Sequence, residues 1–392
     1  VHPGVYIQVP FCQSKCTYCH FATGVFPREL MAPYVDALCR EILERESLYA
    51  AADLAFPDDA RIDTVYIGGG TPSLLPPADL AQILNAVRRP GSACGLGGNP
   101  LWHEVTLEAD PGTVSREKAV AWRDAGFNRV SLGAQSFADS ELRAAGRRHR
   151  EADIYRAVEA LRSAAIPSLT LDLILGLAGQ TRESWRASLK KLIALRPEHL
   201  SLYMLDVDDG SRLGRELLAG GARYDAPQVP SDDALADWYD DACARLSEAG
   251  YQHYEISNWA LPGQRALHNS KYWLRVPFLG FGSGAHSFNG VERWANAHDP
   301  AAYVEALRAG RLPAEQRETV TREMALEEEV FLGLRLLDGI NLARLEAEYG
   351  VDLRSRVPRL LEAGAVALDG DTLRLLPARL AVSNEVMAEL LL

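Results

Sequence analysis

Six short β-rich runs, each followed by a helical pattern, constrain the fold of this chain more than any single motif. The runs are Val5 to Val9, Thr64 to Ile67, Glu104 to Glu108, Arg129 to Leu132, Leu169 to Leu175 and His199 to Tyr203. Between them lie amphipathic stretches. In the clearest, Leu30 to Leu48, residues Leu30, Tyr34, Leu38, Ile42 and Leu43 fall on one helical stripe. Strand alternating with helix implies right-handed βαβ units and a parallel sheet covered by helices. Six such units predict an α/β fold, a (β/α)6 partial barrel of the TIM type; a full eightfold barrel needs more units than occur before the pattern changes near residue 206. At 392 residues and 47% hydrophobic, the chain is long enough to carry a smaller domain as well.

In folds of this kind chemistry gathers at the C-terminal ends of the strands. After the first run comes VYIQVPFCQSKCTYCHF, where Cys12, Cys16 and Cys19 are spaced C-x3-C-x2-C. Thiolates are the soft ligands that iron–sulfur clusters and zinc select, and a cluster held by cysteines normally takes four. Three leave one iron of a [4Fe-4S] cluster open to a substrate or cofactor. A closed zinc site would want a fourth Cys or His at finger-like distance, and only His20, adjacent in sequence, is near. Cys39, Cys94 and Cys243 stand singly, which suits a reduced compartment rather than a disulfide framework.

The second run leads into Gly68-Gly69-Gly70-Thr71-Pro72, where missing Cβ atoms permit positive φ and close approach of backbone to a ligand. The third ends in Glu108-Ala109-Asp110, the fourth in Gln135, and the fifth carries Asp172. A carboxylate or amide emerging from an apolar strand is costly to bury without a partner. Glu108, Gln135 and Asp172 are therefore candidate ligand contacts, with hydrogen-bonded polar core groups as the alternative. Arg147, in Gly146-Arg147-Arg148-His149, can offer a planar fork to a carboxylate.

On the cysteine spacing after an aromatic-rich strand, the chain resembles the radical S-adenosylmethionine (SAM) superfamily. Its YIQVPFCQSKCTYCHF segment resembles the branch holding oxygen-independent coproporphyrinogen III oxidases and HemW-type haem chaperones. The resemblance implies a [4Fe-4S] cluster on Cys12, Cys16 and Cys19, with SAM bound to the open iron and cleaved by one electron to methionine and a 5'-deoxyadenosyl radical. It places Gly69, Gly70 and Thr71 at SAM's amino group, and Glu108, Gln135, Arg147 and Asp172 around its ribose, carboxylate and adenine. Tyr6 matches a tyrosine beside the cofactor, and Tyr18 the aromatic position before the last cysteine. Gln8 stands where the family usually has histidine, and Ala178 where it usually has proline; neither change removes a cluster ligand.

After residue 206 the pattern loosens into a turn-rich loop, a linker over Tyr224 to Pro230, a helix from about Ser231 to Ala249 and a short strand over Tyr254 to Ala260. In His268-Asn269-Ser270-Lys271-Tyr272-Trp273, His268 and Tyr272 share a helical face. Neutral imidazole is a common axial ligand of haem iron, while a structural histidine among aromatics is the plainer reading of the residues alone. H-N-x-x-Y-W resembles the motif associated with haem binding in the chaperone branch, which makes His268 the expected haem ligand. His286, in the glycine-rich Gly280 to Phe288 stretch, is a second candidate. From about Arg322, helices near Met324 to Leu337, Leu342 to Tyr349 and Leu353 to Ala363, a β-like Val366 to Leu376 and a closing helix from Asn384 form a winged-helix pattern. Glu323, Glu327, Glu328, Glu329 and Glu348 argue against DNA as its partner. The expected division is a radical SAM partial barrel over 1–210, a barrel extension with the haem motif over 211–320, and a winged-helix-like domain over 321–392.

The net charge of -12 argues against binding nucleic acid through a basic surface, although Arg143, Arg147, Arg148 and Arg150 form a local exception. No apolar run of about eighteen residues suggests a membrane span, and no signal or transit peptide precedes the first strand in this sequence, so a cytoplasmic location is expected. The expected function is a haem chaperone that binds haem, a [4Fe-4S] cluster and SAM, and passes haem to acceptor proteins, with the membrane surface as one place of delivery and an electron donor as a further partner. The alternatives are oxygen-independent coproporphyrinogen III oxidase and another radical SAM enzyme acting on haem. The oxidase carries an additional cysteine two residues after the third, where this chain has Phe21.

Overall fold

The computed structural model describes residues 2–56, 61–89 and 102–391, so Cys94 lies outside the described residues. Strands β1 (Gly4–Val9), β2 (Thr64–Gly69), β3 (Glu104–Ala109), β4 (Arg129–Gln135), β5 (Ser168–Leu175) and β6 (His199–Met204) lie side by side, in chain order and parallel. This is the expected α/β partial barrel. Each strand begins or ends within three residues of its sequence-predicted run.

The sheet extends beyond these six. A hairpin of β7 (Gln252–Glu255) and β8 (Asn258–Ala260) adds antiparallel to β6, where one strand was expected. At the other edge β9 (Phe278–Phe281) pairs in parallel with β1, and β10 (His286–Phe288), β11 (Glu292–Asn296) and β12 (Ala314–Thr319) continue antiparallel, for twelve strands in one sheet among the described residues. The expected helix from Leu30 to Leu48 is two, Met31–Leu43 and Arg45–Ala51, parted at Glu44, whose backbone leaves the helical region at φ -99° and ψ 10°. The Tyr224 to Pro230 linker contains short helical turns over Arg223–Gln228.

Alternation along the strands sorts side chains between two environments. Val5, Ile7 and Val9 of β1, Val65 and Ile67 of β2, and Val130 and Leu132 of β4 are buried in the apolar core beneath the helices. The intervening positions face the barrel interior, where Tyr66, Thr106, Ser131, Thr170 and Ser201 line a cavity. Most barrels of this kind fill their interior with layers of Val, Ile and Leu. Here the inner face is polar.

The helix Leu267–Trp273 closes the barrel at the strands' N-terminal ends. Glu104, the first residue of β3, accepts hydrogen bonds from the backbone N–H groups of Leu267 (2.9 Å) and His268 (3.0 Å), satisfying two of the helix's free donors. The same carboxylate pairs with Arg129 at 3.1 Å, at the start of β4. Thr64, at the start of β2, meets His268, and the Lys271 ammonium reaches Asp63 at 2.5 Å.

Helices Arg322–Arg335, Leu342–Tyr349, Val357–Glu362 and Ser383–Leu391 accompany a small antiparallel sheet, in which β13 (Ile340–Asn341) and β14 (Val366–Asp369) flank β15 (Thr372–Leu375). This part docks on the barrel floor. Arg335 pairs with the fully buried carboxylate of Glu255 and lies over the Trp273 ring at 4.6 Å, while Arg275 pairs with Glu328 at 2.6 Å. Among the described residues no helix is long and apolar enough to cross a membrane.

Candidate functional site

The loop after β1 is tied at its base, where Cys12 N–H donates to the Gly24 carbonyl (2.8 Å) and Gly24 N–H to that of Pro10 (3.0 Å). Thr17 N–H donates to Ala145 O at 3.1 Å, and Leu213 N–H donates to Thr17 O at 2.8 Å, so the loop is held from two sides. Cys12, Cys16 and Cys19 are unpaired thiols, and all three line a cavity of about 410 Å³ at the C-terminal ends of the strands. Burial pushes the Cys12 thiol up, opposed by hydrogen bonds with Thr23 and Thr71. Among the described residues no group of three or more Cys, His, Asp and Glu side chains is set around a single metal ion. The donor set fits a multi-iron cluster, since the three thiols share one opening and the Arg147 guanidinium stands 3.5 Å from Cys16 Sγ, where it would offset thiolate charge.

The glycine turn after β2 abuts this loop. A Cβ on Gly70 would meet Phe11 O at 2.7 Å and Cys12 Sγ at 3.0 Å, and Gly69 adopts φ +109°. The N–H groups of Gly69, Gly70 and Thr71 donate inward, to Glu108 Oε2 (2.9 Å), Val9 O (2.8 Å) and Phe11 O (2.8 Å). With those donors spent, the turn suits a ligand group that donates, as an ammonium does.

Glu108 accepts from Tyr66 Oη (2.7 Å) and Gly69 N–H, and burial pushes its carboxyl up. Asp172 accepts from Ser131 Oγ at 2.9 Å through one oxygen, while its other oxygen is buried without a partner. Burial raises its carboxyl to about 7, against the lowering effect of Ser201 and Ser131. Gln135 ends β4 in the left-handed region at φ +65°, uncommon for a side chain of its size, and its Oε1 is buried and unpartnered. All three line the cavity. Two buried oxygens without a partner, on residues that line one cavity, fit a ligand carrying donors.

Arg147 also lines the cavity, but its fork is largely spent: Nη2 donates to Asp110 Oδ2 (2.8 Å) and Gly133 O (2.9 Å), and Nη1 faces Cys16. Tyr18 lines the cavity, and burial beside Cys16 pushes its hydroxyl up. Tyr6 lies behind the cavity wall, stacked on Tyr66 at 6.0 Å and donating to Gln8 Oε1 at 2.5 Å. Tyr66 is the aromatic residue of that pair which reaches the opening. Sequence reasoning passed over Tyr66, Ser131, Ser201 and Tyr203, although each sits at the alternate, inward position of a strand whose other positions are aliphatic.

His268 is not presented as a ligand. It is 1% exposed, with Nδ1 bonded to Thr64 Oγ1 (3.0 Å) and Nε2 to Tyr272 Oη (2.9 Å), and its ring stacks on Tyr66 at 5.2 Å. Burial, with the Lys271 charge nearby, holds it neutral, down to about 3. The i, i+4 pairing expected to display imidazole and tyrosine to a macrocycle instead joins them to each other in the barrel floor. His286 is exposed at the start of β10.

A parallel partial barrel with three thiols and orphaned polar groups at one mouth defines a radical SAM protein, and the Radical SAM superfamily profile matches residues 6–192, with the HemN C-terminal domain profile matching 320–378. The chain is 36% identical to the heme chaperone HemW of Mycobacterium tuberculosis across 99% of this chain and 94% of that protein. It is 32% identical to the heme chaperone HemW of Bacillus subtilis, across 91% of this chain and 89% of that protein. It belongs to this HemW family within the radical SAM superfamily. The structure of coproporphyrinogen III oxidase (HemN) from Escherichia coli superposes with a TM-score of 0.80, over 100% of this chain and 89% of the other at 22% identity, a likeness of fold. Membership of the superfamily implies a [4Fe-4S] cluster and SAM.

Proposed function

We propose that this protein is a haem chaperone, which carries haem on a radical SAM framework and passes it to acceptor proteins, some of them at a membrane surface, with an electron donor serving the cluster. The observation that supports it best is near full-length similarity to proteins named heme chaperones, combined with Phe21 in place of the oxidase's additional cysteine. In this reading Cys12, Cys16 and Cys19 hold the cluster, and Gly69, Gly70 and Thr71 turn acceptors toward SAM's amino group. Glu108 and Asp172 take its hydroxyls, Gln135 and Tyr18 border it, and Arg147 balances charge at Cys16. When bound, the two cofactors supply one-electron cleavage of SAM. The division at residues 210 and 320, and a cytoplasmic location, belong to the same proposal.

The test is anaerobic incubation of the cluster-reconstituted protein with SAM, reductant and coproporphyrinogen III, alongside hemin titration followed by absorbance. Stoichiometric hemin binding without porphyrin conversion is expected. Formation of protoporphyrinogen would make the protein an oxidase.

A further inference from the structure

With His268 locked in the floor, the remaining imidazoles are the candidates for haem iron. Of its nine histidines, His20 and His199 line the cavity. His199 begins β6, is 1% exposed and is already bonded to Tyr254 Oη at 2.7 Å. His20 follows the last cysteine directly, is exposed, and makes no hydrogen bond among the described residues. Its ring lies 5.0 Å from that of Phe21, which also lines the cavity and is 62% exposed. Val25, on the same loop, is 63% exposed. Both are solvent-facing apolar side chains on the loop that carries the cysteines.

The mouth also carries cations in a chain of net charge -12. Arg148 lines the cavity, exposed and unpaired among the described residues; Lys15 lines it too, its ammonium contacting only the Thr23 carbonyl, at 3.3 Å. A planar apolar ring with a metal at its centre and two carboxylates at its edge matches that combination of imidazole, aromatic face and two cations without an ion-pair partner among the described residues.

We propose that haem docks across the cavity mouth, with His20 as the axial ligand, Phe21 against the macrocycle, and Arg148 and Lys15 on the propionates. This rests on the haem-carrying reading above. His20→Ala, His20→Met and His268→Ala variants, matched with the unaltered protein for iron and sulfide content, are titrated anaerobically with hemin and followed by the Soret band and by electron paramagnetic resonance. His20→Ala is expected to weaken binding at least tenfold and shift the Soret maximum. His20→Met is expected to retain binding with an altered ligand signature, and His268→Ala to keep the unaltered spectrum. If the unaltered protein binds one hemin and both His20 variants match it in affinity and spectrum, the docking site is overturned while the chaperone reading stands. If the unaltered protein binds no hemin, the chaperone reading falls, and this site with it.

Discussion

Asp172 is the side chain through which the cavity senses ordinary pH. Burial pushes its carboxyl up to about 7, and one of its oxygens is buried without a partner. A ligand hydroxyl donates more strongly to the ionised carboxylate than to the protonated acid, so SAM affinity should fall severalfold between pH 8 and pH 6 in calorimetric titrations, and Asp172→Asn should flatten the profile. Glu41 provides the stability counterpart. Buried beneath the Gly282 turn, it accepts from Gly282 N–H (2.9 Å), Asn296 Nδ2 (2.7 Å) and Tyr303 Oη (2.5 Å), yet burial still lifts it from its ordinary 4.5 to about 7. Between those values the native state holds a proton that the unfolded chain has released. Its contribution to stability therefore falls as pH rises from about 4.5 to 7 and levels off above, a slope that urea unfolding of Glu41→Gln should lack. At the cysteines, replacing Cys12, Cys16 or Cys19 with alanine should abolish the iron–sulfur absorbance, as iron and sulfide assays would report.

Two elements show how much could be read from the chain. All six parallel strands and the thiol loop were legible, because strand alternation and cysteine spacing are local signals. The Glu44 break was not, since the apolar stripe continues across it. The floor helix misled more seriously: i, i+4 spacing brings His268 and Tyr272 together whether they serve a ligand or each other, and only the positions of Thr64 and Glu104, distant in sequence, decide between the two. Removing that imidazole leaves Thr64 and Tyr272 without their partner and opens a cavity. His268→Ala should cost about 2–4 kcal/mol in denaturant unfolding while keeping its iron. The polar inner face was legible in principle, in Thr-Val-Tyr-Ile and Ser-Leu-Thr-Leu-Asp, where polar residues alternate with aliphatic ones. Gly70→Ala tests the glycine turn. Its Cβ would press on Phe11 O and Cys12 Sγ, so lower cluster occupancy on reconstitution is expected.

Across the whole molecule, the C-terminal part is bound to the barrel through charge as well as apolar contact. Arg335 joins the two by neutralising Glu255, which is wholly buried, and by covering Trp273 of the floor helix. Arg335→Ala strands that carboxylate and should cost about 3 kcal/mol, read as a lowered unfolding midpoint. The same floor governs traffic. Leu267–Trp273 packs across the N-terminal ends of the strands, and the thiol loop lines the cavity at the other end. An occupant held across the thiol loop would stand between solvent and whatever settles against the cysteines, so its departure would set the pace of exchange behind it.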